Sequence, residues 1–241
     1  MSAKLTAPDL RGFYRQHGYA VAEDVLSREE TEAFAAEADL LLDGKRRAYQ
    51  PAMNPDREFA PFARMMAHKG LVRLSEELLG SKIHALQSMF YWRLPGTPGR
   101  DPHQDNFYAR ADPDAYMGAW LAVDDCDREN GCLFAYPGSH REPILDIVED
   151  AERKATNVGG FRNDRGSGCV VPAKYDKAYL TVRKGSVIFI HGHLIHGSDA
   201  NVSPNRLRRS FIVHYIQQGR PFVEGTHAKR RVIDVYGPEA G

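Results

Sequence analysis

Cysteine is scarce in this chain, tryptophan scarcer, and an excess of charge of either sign is missing altogether. The three cysteines, Cys126, Cys132 and Cys169, are an odd number without the close-spaced pairs of a zinc site. That excludes a disulfide-stapled scaffold or a zinc ribbon and fits a reducing compartment. Lysine plus arginine and aspartate plus glutamate number 32 each, so no global field draws the chain to nucleic acid or to an anionic membrane. No apolar run approaches the roughly 18 residues of a membrane span, and the first eight residues lack the apolar core of a signal peptide. The expectation is a cytoplasmic protein with a small-molecule substrate, no nucleic acid and no membrane. No internal repeat is visible.

What is present has the balance of an ordinary globular domain: 42% hydrophobic and 27% charged residues. Length is compatible with one domain over residues 1–241. The first third, about 1–80, reads as helical. Leu10, Phe13 and Tyr14 recur at helical spacing before Gly18. Ser27-Arg-Glu-Glu30 is a capping-box pattern, followed by an apolar stripe of Phe34, Ala35, Ala38, Leu41 and Leu42 that ends near Gly44. A third helix carries Leu71, Leu74, Leu78 and Leu79 and stops at Gly80.

The period then changes. Residues 83–92, 117–123, 132–136, 178–182, 187–190 and 210–217 read as short strands punctuated by glycine and proline. Helices followed by such strands predict a mainly β domain, a sandwich or barrel over about 82–218 with helices packed on one outer face. Residues 144–177 are irregular and combine Gly159, Gly160, Gly166 and Gly168 with Arg162, Arg165, Lys174 and Lys177. They read as a lid or insert.

Chemistry concentrates in Asp101-Pro-His-Gln-Asp-Asn-Phe-Tyr108. As a strand, this stretch projects His103 and Asp105 from one face. An imidazole and a carboxylate there are two-thirds of the set that holds non-haem Fe(II) with positions left open. The third ligand has three candidates, His191, His193 and His196. Continuing the parity of Val187 and Phe189 puts His191 and His193 on one face and His196 on the other, unless the strand breaks at Gly192. Spacing alone does not choose.

Six motifs occur in a telling order: Pro102-His-Gln-Asp105, Gly118-Ala-Trp-Leu-Ala-Val123, Glu129-Asn-Gly-Cys-Leu133, Pro137-Gly-Ser-His-Arg141, His196-Gly-Ser198 and Arg208-Arg-Ser210. With the Gly18-Tyr-Ala-Val21 stretch, this series resembles the phytanoyl-CoA dioxygenase family over most of the chain; only residues 144–177 lack a counterpart. The resemblance implies a double-stranded β-helix, the jelly-roll or cupin-like core, and dependence on Fe(II), 2-oxoglutarate and O2. It implies His103, Asp105 and His196 as iron ligands, and Arg208 as the anchor of the far carboxylate of 2-oxoglutarate, with Arg206 the competing register. Gln87, Tyr91, Trp120 and Ser198 match positions near the cosubstrate.

Trp92, Arg93, Phe107, Tyr108 and Arg110 are candidate substrate contacts. The implied reaction couples decarboxylation of 2-oxoglutarate, giving succinate and CO2, to hydroxylation of an unactivated C–H bond. Desaturation or cyclisation is a variant within the family, and a non-catalytic jelly-roll binding module is the rival from another class. A zinc hydrolase would want a general-base glutamate near the metal.

Overall fold

Alternation along a few strands decides how the molecule is layered. The computed structural model describes residues 7–41, 43, 51–149 and 167–237. Its strands are β1 (Tyr19–Ala22), β2 (Ala52–Met53), β3 (Ile83–Arg93), β4 (Arg100–His103), β5 (Tyr116–Ala122), β6 (Leu133–Ala135), β7 (Ile147–Glu149), β8 (Ser167–Cys169), β9 (Ala178–Leu180), β10 (Val187–His191), β11 (His196–Ser198) and β12 (Arg208–Gln217). One sheet has the order β1-β10-β5-β12-β3-β2 and a second the order β4-β11-β6-β9, while β7 and β8 pair separately. All the pairings are antiparallel. This is the jelly-roll architecture.

In the larger sheet, Val187 and Phe189, Met117, Ala119 and Leu121, and Phe211, Val213 and Tyr215 face the helices. Their neighbours Ile188, Ile190, Trp120, Ala122 and Ile212 face the smaller sheet. Period two therefore gives each strand one face for a helix-covered core and one face for the interior of the sandwich. The helices are α1 (Ala7–His17), α2 (Arg28–Leu41), α3 (Ala60–Met66), α4 (Lys69–Leu79) and the single turn α5 (Asn106–Ala109).

Phe34 of α2 and Phe62 of α3 meet Phe90 and Phe211 of the sheet, with ring centroids 5.3 to 6.0 Å apart. Such contacts add specific geometry to the large area that aromatic rings bury. The capping box at α2 forms as its sequence requires. Glu30 N–H donates to Ser27 Oγ at 3.1 Å and Ser27 N–H donates to Glu30 Oε2 at 2.7 Å. A cap of this kind is worth about 1 kcal/mol. Gly80 closes α4 in the left-handed region, at φ 72°, where glycine carries no Cβ penalty.

Several expectations need correction. The first third is not wholly helical, because the short edge strands β1 and β2 lie within it. The third predicted helix is α4, ending at Gly80 as expected, but a further short helix, α3, precedes it across Ala67 and His68. The strand read through Asp101–Tyr108 ends at His103, and Asp105 begins the turn of α5. Side chains force that break. Gln104 turns inward, donating to His193 O and Pro143 O and accepting from Leu145 N–H, while Asn106 closes on both backbone groups of Ala111.

Of the segment predicted as a lid, residues 150–166 lie outside the described residues, as do Leu42 and Gly44 from the α2 stripe. Its flanks are described: β7 pairs with β8, and β8 packs so closely on β4 that a Cβ at Gly168 would stand 2.9 Å from Pro102 O. Among the described residues no helix is long and apolar enough to cross a membrane.

Candidate functional site

Two adjacent strands of the smaller sheet bring the histidines together. His103 ends β4, His196 begins β11, and the two are direct partners across the ladder. Direct partners share a face, and their rings lie 4.4 Å apart between centroids. Asp105 reaches the same point from the following turn, with Oδ1 3.5 Å from His103 Nε2 and Oδ2 3.8 Å from His196 Nε2. One donor atom from each of the three side chains lies within 4.8 Å of the others, the one such His, Cys, Asp or Glu grouping among the described residues.

The outer ring nitrogens settle the tautomers. His103 Nδ1 lies 2.9 Å from Asp101 O and His196 Nδ1 lies 3.0 Å from Leu194 O. A carbonyl only accepts, so each Nδ1 carries a proton, and Nε2 is the nitrogen that each ring turns to the centre. Burial pushes His196 down to about 4, so it is neutral at physiological pH despite the neighbouring carboxylate. Burial works against the charged form of Asp105 as well. His196 and the hydrogen bonds of His103 and His214 outweigh it and hold the carboxyl well below the usual carboxylate range. Neutral imidazoles and an ionised carboxylate are the forms in which such a set of side chains binds a divalent cation.

The other two histidines leave for a different region. The chain turns after β10, with Leu194 N–H bonded to His191 O, and this leaves His191 and His193 together, rings 5.9 Å apart, while His196 enters the smaller sheet. His191 accepts from His193 N–H at Nδ1 and donates from Nε2 to Asp114 at 3.1 Å. His193 is held at Glu142 O. Gly197, following His196, is needed sterically, since a Cβ there would stand 2.5 Å from both Arg100 O and Phe134 Cζ.

A cavity lies between the triad and the larger sheet, lined by Met89, Tyr91, Arg93, Trp120, Ile190, Arg208 and Ile212. Those two arginines are direct partners across β3 and β12, and both are buried, at 6% and 2% exposure. Like charges placed opposite one another in a ladder repel. Arg208 Nη1 donates to Ser210 Oγ at 3.1 Å, its Nε is buried without a partner, and among the described residues no carboxylate pairs with it. Burial, with Arg93 adding to it, pushes the guanidinium down to about 10, so it stays charged at neutral pH. Its carbon lies 5.5 Å from the Trp120 ring centroid. Arg206 is spent elsewhere, on both oxygens of Asp127 at 2.8 Å and on Glu129 at 2.5 Å.

The remaining sequence candidates divide. Ser198 lines the cavity and accepts from Arg100 N–H through its hydroxyl. Gln87 is buried on β3 opposite His214, but its side chain is not part of the lining. Trp92, grouped above with substrate contacts, points the other way. Strand alternation that turns Tyr91 and Arg93 inward turns Trp92 into the helix-facing core, where its indole donates to Asp39 at 2.8 Å. Phe107, Tyr108 and Arg110 also stand outside the cavity lining. Tyr108 remains linked to it by accepting from Arg100 Nη2 at 3.1 Å.

Arg100 and His214 line the cavity and were not singled out from sequence. Arg100 could have been suspected from its place three residues before His103. No glutamate lines the cavity among the described residues.

A family model described as phytanoyl-CoA dioxygenase (PhyH) matches residues 14–210. A phytanoyl-CoA dioxygenase of Arabidopsis thaliana is 34% identical over 135 residues, 55% of this chain and 44% of that protein. A phytanoyl-CoA dioxygenase domain-containing protein 1 of Danio rerio is 36% identical over 123 residues, 49% of this chain and 40% of that protein. The chain spans about half the length of the curated relatives it matches. Among solved structures, a non-heme alpha ketoglutarate dependent carbocyclase, SnoK from nogalamycin biosynthesis, superposes with a TM-score of 0.74 at 22% identity, covering 93% of this chain and 91% of that one. The epimerase SnoN, in complex with Fe3+, alpha ketoglutarate and nogalamycin RO, gives 0.72 at 21% identity, covering 90% and 85%. At such identities the likeness is one of fold.

Proposed function

Because the chain belongs to the phytanoyl-CoA dioxygenase family, we propose that it is an oxygenase dependent on Fe(II) and 2-oxoglutarate that hydroxylates an unactivated C–H bond of a small molecule. The observation that carries this reading is the locking of both Nδ1–H groups onto backbone carbonyls, which turns the two Nε2 atoms to the point that the Asp105 carboxylate also reaches. His103, Asp105 and His196 therefore fit an Fe(II) ion as a two-histidine, one-carboxylate set. When bound, Fe(II) with 2-oxoglutarate would activate O2, yielding succinate, CO2 and an oxidant for the substrate C–H bond.

The chain's own residues do the rest. Arg208 offers a planar pair of donors in the cavity lining, the geometry suited to a carboxylate, and an anion there would also relieve its repulsion with Arg93. Trp120, Tyr91, Met89 and Ile212 give the space between the triad and Arg208 a largely apolar lining, which disfavours water there. Exclusion of water strengthens each polar contact made there.

The test is turnover. Fe(II)-loaded protein, screened with small molecules under 18O2, should form succinate from 2-oxoglutarate in a substrate-dependent way and return a product that gains one 18O atom. A product that loses two hydrogens and gains no oxygen would replace hydroxylation by desaturation or ring closure. Absence of 2-oxoglutarate consumption in iron-replete protein, with or without any substrate, would overturn the oxygenase reading.

A further inference from the structure

His214 is the one cavity-lining histidine outside the triad, and it comes from the opposite sheet. It lies on β12 just before a register shift against β3. Its ring is buried and stacked on Tyr116, with centroids 5.3 Å apart and planes 10° from parallel. Its Nε2 lies 3.2 Å from Asp105 Oδ2. A carboxylate accepts, so Nε2 carries the proton, and the ring turns its Nδ1 lone pair into a buried position with no partner. The fold thus leaves one buried acceptor unsatisfied, which is unfavourable, in an arrangement that places an N–H on Asp105.

We propose that His214 is a positioning residue for the metal site: its N–H occupies Oδ2 of Asp105, so that Oδ1, the oxygen facing His103, is the one offered to the metal. The carboxylate then serves as a one-oxygen donor with fixed orientation and leaves coordination space for exchangeable ligands. This rests on the metal-site reading given above and adds to it a role for a residue in the other sheet. Partners of ligating groups act through orientation, and their loss typically weakens metal binding about 10–100-fold.

The experiment uses Co(II) as the probe, titrated into the metal-free 241-residue chain and followed by visible absorption and equilibrium dialysis. His214→Phe keeps the ring stacked on Tyr116 and removes the donor. His214→Gln places an amide N–H near the original Nε2, whereas His214→Asn places one near Nδ1, out of reach of Asp105. The two amides burden the core alike, so their difference reports the donor rather than folding.

Expected are about 10–100-fold weaker Co(II) binding and an altered Co(II) spectrum in His214→Phe and His214→Asn, with His214→Gln close to wild type. Wild-type uptake that His103→Ala abolishes, but that both His214→Phe and His214→Asn leave unchanged in affinity and spectrum, would overturn the role of His214 alone. Equal losses in His214→Gln and His214→Asn would also overturn it, since the position of the donor would then not matter. Wild-type protein that binds no Co(II) would overturn the metal-site reading and this role with it.

Discussion

Replacing His196 with alanine should abolish both Fe(II) uptake and 2-oxoglutarate turnover, while His191→Ala and His193→Ala keep measurable activity. His196 presents its Nε2 to the same point as His103 and Asp105, and a site reduced to two protein donors loses both affinity and geometry. His191 and His193 have different duties. The first bridges the His193 backbone and Asp114, and the second is held at Glu142 O. Removing either costs the protein hydrogen bonds, about 1 kcal/mol each or somewhat more where a partner is left buried, and lowers the thermal midpoint without removing a donor from the triad. Equilibrium dialysis with Fe(II) under anaerobic conditions, paired with succinate formation, separates the two effects. Full iron uptake and turnover in His196→Ala would discard the proposed ligand set.

The second large effect is expected at Arg208. Its alanine variant should weaken 2-oxoglutarate binding by about 2–5 kcal/mol, the range for truncating one partner of a buried, hydrogen-bonded charge pair, or roughly thirtyfold and more in affinity. Arg206→Ala should leave the affinity almost unchanged. Arg206 is exposed enough, and sufficiently engaged with Asp127 and Glu129, that its loss counts as a surface ion-pair effect of about 0–1 kcal/mol. The cosubstrate dependence of succinate formation in the two variants measures both values. A larger loss in Arg206→Ala than in Arg208→Ala would shift the carboxylate anchor by two residues.

What sequence made legible follows from how locally each feature is determined. The α2 cap, the stop at Gly80 and the existence of β5, β10 and β12 as strands depend on near neighbours and were readable. The proximity of His103 to His196 depends on β4 pairing with β11, a long-range register that no local period encodes; only the resemblance to a family linked them. Asp105 was expected to share a strand face with His103, yet it arrives by a turn that Gln104 and Asn106 impose through buried amide contacts. The same-face argument led to the right neighbour by the wrong route. Trp92 was misassigned because alternation was not carried through β3 from its cavity-facing neighbours. His214 gave no sequence signal, since a histidine within an apolar strand looks like ordinary core until its partner across the sandwich is known.

The division of labour between the sheets carries a mechanical consequence. His103 and His196 stand on β4 and β11 of one sheet, while Arg93 and Arg208 stand on β3 and β12 of the other. A metal alone would brace a single sheet. A rod-like dicarboxylate gripped by the metal at one end and by Arg208 at the other would act as a tie between the two layers, loading them in tension against the hydrophobic packing that holds them together. Amide hydrogen exchange in β4, β11, β3 and β12 should then slow in concert when 2-oxoglutarate is added to the anaerobic Fe(II) protein, and not when a monocarboxylate of the same length is added. Slowing confined to one layer would mean that the ligand rests in the sandwich without fastening it.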